Sequence, residues 1–281
     1  GNISNNSSKF DFESLGLLKL WNYEYCSYLG EKLDNCFKNK STIDEFQELA
    51  DHVRLCHEET ERMFVDYFKS NTSINDVITY SGGVAQNTII NSEIRKVRPN
   101  LHIPPHCNDE GLSLGAALWK SNQLGELKKP LKLTSFSFGP SYDEESIYEF
   151  SKEFDFIRTG LDYDEIAKDI HSGKIIGWFD GGMEFGPRAL GNRSLLVRPT
   201  QLETHKVLNH RLNRYDTMPF APMVLDEHFE DLFTTNKSKY SAQFMTICYS
   251  TKTEWIDKIP AVVQKSDKTA RPQVITSENN P

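Results

Sequence analysis

The chain has 281 residues, of which 38% are hydrophobic and 26% charged, and its formal net charge is -8. This length allows one large or two moderate domains with a buried core, and the composition is typical of a globular protein. The negative charge argues against broad nucleic-acid binding, and no apolar run is long enough to cross a bilayer. The five cysteines are widely spaced and form no CxxC pair, so they predict neither a disulfide framework nor a zinc site. A reducing, cytoplasmic environment is therefore expected.

The N-terminal region predicts helices. Its first ten residues lack the basic and apolar segments of a signal peptide, so we interpret the chain as a piece of a longer one. Helical segments are predicted between residues 12 and 37. A long amphipathic helix is predicted from residue 42 to 68, because apolar side chains recur there every three or four positions. His52 and His57 on this helix are five positions apart, a spacing that favours a polar surface over a metal site.

A glycine-containing turn follows the long helix. Residues 77–80 form a short β-branched run that leads into SGGVAQN, residues 81–87, and then into a helix reaching about residue 95. A strand, turn and helix in this order present backbone N–H groups to a phosphate. Gly82, Gly83 and Asn87 are therefore candidate ligand-binding residues, with the alternative that the turn needs its glycines for steric reasons alone.

A second strand and helix pair comes next. Residues 101–105 predict an edge strand, and NDEGLSLGAAL, residues 108–118, predicts a loop entering a helix of small residues. Between residues 125 and 141 the composition shifts to Lys, Pro, Ser and Gly, which predicts a linker and hence two domains, 1–128 and 129–281.

The second predicted domain begins with helices over residues 142–150 and 163–172 and a strand over residues 175–179. A strand over residues 195–197 and a helix over residues 203–213 follow. Arg211 and Arg214 lie near the end of that last helix, where cations complement the helix dipole.

The stretch GGMEFGPRALGNRS, residues 181–194, carries the densest chemistry of the chain. Its glycines and proline favour a sharp turn that approaches another group closely. Arg188 and Arg193 offer planar, permanently charged forks that fit phosphate or carboxylate oxygens, so the pair predicts an anion clamp. The alternative is a structural corner whose arginines pair with surface acids. No residue here has the setting of a covalent catalyst.

MEFGPRALGNRS resembles the signature of the carbamoyltransferase family typified by NodU and by the O-carbamoyltransferases of antibiotic biosynthesis. SGGVAQN and NDEGLSLGAAL likewise resemble the second half of an actin-like ATPase domain. The resemblance implies an α/β protein in which a partial actin-like (ASKHA) domain, residues 1–128, precedes a YrdC-like domain, residues 129–281, that is incomplete at its end.

The resemblance also implies a reaction. Carbamoyl phosphate and ATP would give carbamoyl-adenylate, and the carbamoyl group would pass to a hydroxyl of a small-molecule or sugar acceptor. ATP with Mg²⁺, and Fe²⁺ or a similar divalent metal in the full-length protein, would be the cofactors. Neither a nucleic-acid nor a membrane partner is implied.

Site residues are implied by the same match. Arg188 and Arg193 would be catalytic by neutralising phosphate charge, a role that needs no nucleophile. Asp109 would be a metal ligand, together with histidines that this chain does not identifiably contain; His102 and His106 match no metal motif of the family. The implied substrate- or nucleotide-binding residues are Gly82, Gly83, Asn87, Glu184, Gly186, Arg188, Asn192, Arg193, Arg211, Arg214 and Arg271.

Three positions depart from the family pattern. Met218 stands where an arginine is often found, Lys268 replaces a glycine of the run that contains Arg271, and Gln264 replaces a histidine. The family's NTSFN element is expected beyond Pro281, so this chain alone is not expected to complete the transfer. Two alternatives stay open, a non-catalytic nucleotide- or anion-binding module and an actin-like ATPase or kinase. The sequence identifies neither the acceptor nor the oligomeric state.

Overall fold

A computed structural model describes residue 31 and residues 43–129, 131, 133, 135–155, 160–214, 219–234 and 239–276. The chain divides into two compact units, residues 1–72 and residues 73–281. In the first unit, helix α1 spans Ile43–Asn71 and confirms the long helix predicted for residues 42–68. Apart from residue 31, the helices predicted between residues 12 and 37 lie outside the described residues. No described helix combines the length and the apolar character needed to cross a membrane.

The second unit mixes short helices with short strands, which confirms the α/β class. Its elements in chain order are β1 (Ile78–Thr79), a 3₁₀ turn (Gly83–Gln86), α2 (Thr88–Val97), β2 (Leu101–His102), α3 (Gly111–Gln123), α4 (Glu144–Ser151), α5 (Tyr163–Ser172), β3 (Ile176–Phe179), β4 (Arg193–Leu196), α6 (Leu202–Arg211), β5 (Met223–Leu225), a 3₁₀ turn (Asp226–His228), α7 (Phe229–Leu232), a 3₁₀ turn (Tyr240–Phe244), β6 (Tyr249–Ser250), α8 (Thr253–Ile256), β7 (Thr269–Ala270) and β8 (Gln273–Ile275). The actin-like and YrdC-like assignments stay predictions.

The described strands pair two by two. β1 pairs with β2 and β5 with β8 in parallel, whereas β3 pairs with β4 and β6 with β7 in antiparallel. The strand predicted for residues 195–197 instead begins at Arg193, inside the signature. The reason is tertiary, because Phe179 at the end of β3 pairs with Arg193 and draws the last signature residues into the ladder.

Helix ends follow the capping residues of the sequence. The Asp162 side chain accepts hydrogen bonds from the N–H groups of Asp164 and Glu165 and so begins α5. Gly173 ends the same helix in the left-handed conformation, with φ of 97°. Asn87 caps α2 in the same way as Asp162, by accepting from two N–H groups of the first turn.

The predicted linker packs along the signature. Of residues 125–141, the described ones form no helix or strand, in agreement with the prediction. Phe136 accepts a hydrogen bond from the Phe185 N–H at 2.7 Å, and the Gly139 N–H donates to Met183 at 2.9 Å. The segment is therefore fixed by main-chain contacts, and a domain boundary at residue 128 stays a prediction.

A buried polar network joins α2 to the segment before β6. Asn91 is fully buried, and its Nδ2 donates to the carbonyl oxygens of Ala85 at 2.7 Å and Thr246 at 2.8 Å. One turn on, the Ser92 hydroxyl lies 2.8 Å from the Cys248 carbonyl oxygen and accepts from the Cys248 N–H at 3.0 Å. Residues on either side of the predicted boundary thus share one hydrogen-bonded core.

We predict that Asn91→Ala lowers the free energy of unfolding by about 2–3 kcal/mol, because two buried carbonyl groups lose their donor. Urea denaturation followed by circular dichroism measures the loss. The matched control is Asn122→Ala on the exposed surface of α3, which should change stability by less than about 0.5 kcal/mol. Equal effects of the two substitutions would contradict a stabilising role for the Asn91 amide.

Candidate functional site

A single carboxylate oxygen organises the signature loop. Glu184 Oε1 accepts the N–H groups of Leu190 at 2.8 Å, Asn192 at 2.7 Å and Arg193 at 3.0 Å. Burial raises the pKa of Glu184, but these N–H groups outweigh the burial, so its pKa lies below the usual value of 4.5. The sequence predicted Glu184 as a ligand-binding residue, whereas the hydrogen bonds of its side chain in the structure are with N–H groups of its own loop.

Two glycines of the loop are required by close packing. Gly186 has φ of 129°, and a Cβ atom at this position would lie 2.9 Å from the Pro105 carbonyl oxygen. A Cβ atom on Gly182 would lie 2.7 Å from the Ser137 carbonyl oxygen. A side chain would therefore clash with a neighbouring carbonyl group at either position. At Gly186 the signature packs closely against residues 105–106.

Arg193 makes contacts that fix the loop. Its guanidinium donates to the carbonyl oxygens of Asp180 at 2.6 Å and Asn192 at 2.9 Å, and also to those of Gly181 and Pro140. It lies 3.6 Å from the centre of the Phe179 ring. The sequence predicted an anion clamp of Arg188 and Arg193, whereas the Arg193 fork is occupied by the main chain. Asn192 acts similarly, since its Nδ2 donates to Ser137 Oγ at 2.8 Å and to the Gly182 carbonyl oxygen at 2.7 Å.

We predict that Glu184→Gln destabilises the second unit by about 1–2 kcal/mol at pH 7, because a neutral amide oxygen is a weaker acceptor for three N–H groups. The lowered pKa means that the carboxylate contributes fully above its ordinary pKa of 4.5, and that this contribution is lost as pH falls through the folded-state value. Thermal melts from pH 7 down to pH 3 should therefore show the two proteins converging in acid.

The control for this pH series is Glu153→Gln, whose side chain is exposed. It should follow the wild-type protein at every pH. A constant gap between Glu184→Gln and wild type down to pH 3 would show that the carboxylate charge is not what holds the loop.

Arg188 has a different environment from Arg193. Its Nη1 atom is buried and has no hydrogen-bond acceptor among the described residues. Burial lowers its pKa, while attraction from the Cys107 and Cys248 thiols and from Glu110 opposes that shift. No ion pair between Arg188 and a carboxylate is found in the described part of the chain. Arg188 therefore offers a guanidinium with unused donors.

Two further arginines lie near Arg188. Burial lowers the pKa of Arg271, and the positive charges of Arg188 and Arg214 lower it further. Arg214 lies over the Phe220 ring, 4.7 Å from its centre. We call Arg188, Arg214 and Arg271 the arginine cluster. None of the three forms an ion pair with a carboxylate in the part of the chain that the structure describes, and such a group of like charges is typical of a site for an anion.

The arginine cluster lines a cavity of about 640 Å³. Most of the other lining residues are apolar and come from the signature, β4, α6, the proline-rich segment at residues 219–222 and the segment before β7. They include Leu196, Leu208, Leu212, Phe220, Val224 and Val262. A cavity of this size, with apolar walls and a few polar groups, is typical of a small-molecule site.

Two thiols beside the cluster were not singled out by the sequence. Cys107 is fully buried. The Cys248 Sγ lies 3.1 Å from the Thr88 Oγ1. Burial raises the pKa of both thiols. They are far apart in sequence and form no motif, so only the fold brings them to the arginines.

Some polar groups of the glycine turn, residues 81–87, already have hydrogen-bond partners within the protein. The Gly82 N–H donates to the Cys107 carbonyl oxygen at 2.5 Å, and the Asn87 side chain caps α2. Gly83 has open space around it. The structure therefore gives Gly82 and Asn87 structural partners, and ligand binding by this turn stays a prediction.

Two candidates lie on the surface. Arg211 is exposed at the end of α6 and is not among the residues that line the cavity. Asp109 is exposed, and among the described residues no group of three His, Cys, Asp or Glu side chains could hold a metal ion. Metal binding by Asp109 stays a prediction.

The two histidines next to β2 pack against aromatic rings. The ring of His106 lies 5.2 Å from those of Phe136 and Phe185, and His102 lies 4.8 Å from Tyr240. Burial lowers the pKa of both imidazoles. Both rings therefore have packing partners within the second unit.

Comparison with known proteins assigns the region that holds this cavity. The family model for the carbamoyltransferase C-terminus matches residues 167–281. These residues belong to the carbamoyltransferase family. Arg188, Arg214 and Arg271 all lie within the matched region, and the resemblance found in the signature is confirmed.

Named relatives support the same assignment. The chain is 30% identical over 209 residues to nodulation protein NolO of Bradyrhizobium diazoefficiens, an alignment covering 72% of the chain and 38% of that protein. It is 32% identical over 199 residues to nodulation protein U of Rhizobium fredii, covering 70% and 32%. An uncharacterized protein of Methanocaldococcus jannaschii is 36% identical over 217 residues, covering 73% and 35%. The chain thus spans about a third of the length of these relatives.

One departure from the carbamoyltransferase pattern has a backbone conformation that favours glycine. Lys268, found where the family has glycine, has φ of 58°, in the left-handed region that favours glycine. Its N–H donates to the Gln264 carbonyl oxygen at 3.0 Å, and the Gln264 N–H donates to the Thr269 carbonyl oxygen at 2.8 Å. The turn that leads to Arg271 is therefore formed despite both substitutions.

We predict that Lys268→Val lowers the free energy of unfolding by about 1–2 kcal/mol, because a β-branched side chain is strained at this φ. Lys268→Asn should stay within about 0.5 kcal/mol of wild type, since asparagine tolerates the left-handed region. Urea denaturation is the measurement. Lys265→Val in the same turn, whose φ is not positive, is the control, and an equal loss there would show that backbone strain is not the cause.

Proposed function

We propose that this chain supplies the cavity in which a carbamoyltransferase converts carbamoyl phosphate and ATP to carbamoyl-adenylate, for transfer to a hydroxyl of a small-molecule or sugar acceptor. The observation that carries the proposal is the arginine cluster in the lining of a mostly apolar cavity inside the carbamoyltransferase region.

The two kinds of wall suit the two parts of a nucleotide. An adenine ring is flat and largely apolar on its faces, so it fits among the leucine, valine and phenylalanine side chains of the cavity. Phosphate groups are anionic and match the planar forks of Arg188 and Arg271. Carbamoyl phosphate is itself an anion and fits the same cluster.

Charge stabilisation is the contribution we assign to the arginines. Forming carbamoyl-adenylate with release of both phosphate and pyrophosphate consumes one water: water releases phosphate from carbamoyl phosphate, and the carbamate oxygen then attacks the α-phosphorus of ATP and displaces pyrophosphate. Negative charge develops on the departing oxygens in both steps. Fixed guanidinium groups stabilise that charge without reorganising. Neither thiol beside the cluster acts as a nucleophile in this scheme, because the raised pKa keeps both protonated at neutral pH.

The metal part of the proposal depends on residues beyond those described. Mg²⁺ would accompany ATP as a phosphate-bound ion, and Fe²⁺ or a similar ion would serve the full-length protein. Asp109 is an exposed carboxylate, no group of three potential metal ligands is found among the residues that the structure describes, and a stable divalent site needs several donors. No step of the proposed scheme therefore passes through Asp109.

The actin-like and YrdC-like folds belong to the same proposal, as does the sugar acceptor. The names of the relatives refer to nodulation and specify no acceptor chemistry for this chain. A non-catalytic anion-binding module was the alternative suggested by Lys268 and Gln264. The preserved turn conformation at these positions weakens that argument.

We predict that Arg188→Ala weakens binding of carbamoyl phosphate or ATP by roughly 30-fold, because one charged hydrogen-bonded contact contributes on the order of 2 kcal/mol. Arg188→Lys should recover only part of the affinity, since lysine keeps the charge but not the bidentate fork. Isothermal titration calorimetry measures binding, and a thermal melt of each variant checks the fold.

Arg62→Ala is the charge-matched control, because Arg62 is an exposed residue of α1 that pairs with Glu59. It should bind both ligands as wild type does. An Arg188→Ala variant that melts normally and keeps wild-type affinity for both ligands would overturn the proposed site.

A further inference from the structure

Gln273 contributes a buried amide to the lining of the cavity. The residue is only 6% exposed, and its side chain has no hydrogen-bond partner in the part of the chain that the structure describes. Buried amide groups in folded proteins are nearly always hydrogen-bonded, because an unpaired one is costly. The Gln273 side chain therefore indicates that the cavity binds a polar group as well as an anion.

The backbone around Gln273 fixes the direction of this side chain. The Gln273 N–H donates to the Pro222 carbonyl oxygen at 2.8 Å, and Gln273 lies opposite Met223 in the parallel pair of β5 and β8. Successive side chains of a strand point to opposite faces. In agreement with this alternation, Arg271 and Gln273 both line the cavity, whereas the fully buried Val274 does not. A guanidinium and an amide are thus presented to the same space.

The other uncharged hydrogen-bonding side chains of the lining are hydroxyls. They belong to Ser194 and Thr204. The Ser194 Oγ already accepts the Gly191 N–H at 3.1 Å. A hydroxyl has one donor hydrogen, whereas an amide holds an acceptor oxygen and N–H donors side by side in one plane. Among the described lining residues, Gln273 is the one that can pair with both a donor and an acceptor of a planar ligand group.

A carbamoyl group has the complementary arrangement. Its carbonyl oxygen can accept from the Gln273 amide while its amino group donates to the amide oxygen. In carbamoyl phosphate a single oxygen joins this group to the phosphorus. Two residues of chain span at most about 7 Å, so the Gln273 amide lies within reach of the carbamoyl group of a phosphate held by Arg271. The adenine ring of ATP is separated from its phosphates by the ribose, so this placement favours the carbamoyl group.

We propose that Gln273 is a specificity-determining residue: its side-chain amide recognises the carbamoyl group of carbamoyl phosphate while the arginine cluster binds the phosphate. This inference rests on the proposed function of the cavity and deepens it by naming the group that distinguishes carbamoyl phosphate from other acyl phosphates.

The test compares carbamoyl phosphate with acetyl phosphate, in which a methyl group replaces the amino group. Isothermal titration calorimetry with fresh solutions of each should show that the wild-type chain binds carbamoyl phosphate about 10-fold more tightly. The reason is that acetyl phosphate leaves the Gln273 amide oxygen unpaired. Gln273→Met, which keeps the length of the side chain but removes the amide, should reduce this preference to about 2-fold or less. Its affinity for ATP should stay within about 2-fold of wild type.

The ratio of the two dissociation constants distinguishes recognition from a structural role. A variant that merely distorts the cavity weakens both acyl phosphates by the same factor and leaves the ratio unchanged. Gln123→Met makes the same chemical change on the exposed surface of α3 and is the matched control, so it should keep the wild-type ratio. If thermal melts show that Gln273→Met does not fold, Gln273→Leu takes its place with the same expected loss of preference.

The outcomes separate this inference from the proposed function. Equal affinity of the wild-type chain for the two acyl phosphates overturns the role of Gln273 alone, and so does a folded variant that keeps the 10-fold preference. The same holds if Gln273→Met weakens ATP and leaves the preference unchanged, because the amide would then recognise the nucleotide. A Gln273-dependent preference in a chain that does not bind ATP supports the inference and overturns the proposed adenylate chemistry. A wild-type chain that binds no carbamoyl phosphate overturns both.

Discussion

The amide group of Asn91 connects two parts of the chain that are more than 150 residues apart. Its two donor hydrogens satisfy the carbonyl groups of Ala85 and Thr246, both away from water. A buried donor of this kind cannot exchange its partners for solvent, so the geometry of the contact is strongly constrained. Met245, next to Thr246, lines the cavity with φ of 56°, an uncommon conformation for a residue other than glycine. Without the α2 contacts, this wall of the cavity would lose its support.

The signature divides its polar residues between two tasks. Glu184, Asn192 and Arg193 direct their side chains to main-chain groups of the loop and its neighbours. Arg188 lines the cavity, and its buried Nη1 has no acceptor among the described residues. A loop whose shape is fixed by three residues can present the fourth to a ligand at a small entropic cost. This division explains why a short stretch needs so many polar residues of different kinds.

The electrostatics of the cavity favour binding and stabilisation of anions over covalent chemistry. Mutual repulsion within the arginine cluster raises the free energy of the empty site, and a phosphate relieves it. The carbamoyltransferase assignment of residues 167–281 gives this feature a chemical context, because carbamoyl phosphate and ATP are both anions. Support for the cavity comes from outside that region, because Asn91 of α2 binds the Thr246 carbonyl oxygen next to Met245 of the lining. The family region and residues 73–166 belong to one compact unit.

The sequence by itself determined the local features of this protein. Capping by Asp162, the end of α5 at Gly173 and the long helix α1 follow from contacts between residues a few positions apart, so short-range patterns predict them. The signature identified the family and pointed to Arg188, and the later run with Lys268 pointed to Arg271. Only the tertiary structure decided which arginines already have partners. Arg188 and Arg193 lie five positions apart and both line the cavity, yet Arg193 donates to the carbonyl groups of Asp180 and Pro140, whereas Arg188 Nη1 has no acceptor among the described residues. Such contacts depend on the packing of segments that are far apart in the sequence. Residue type and local spacing do not reveal that packing.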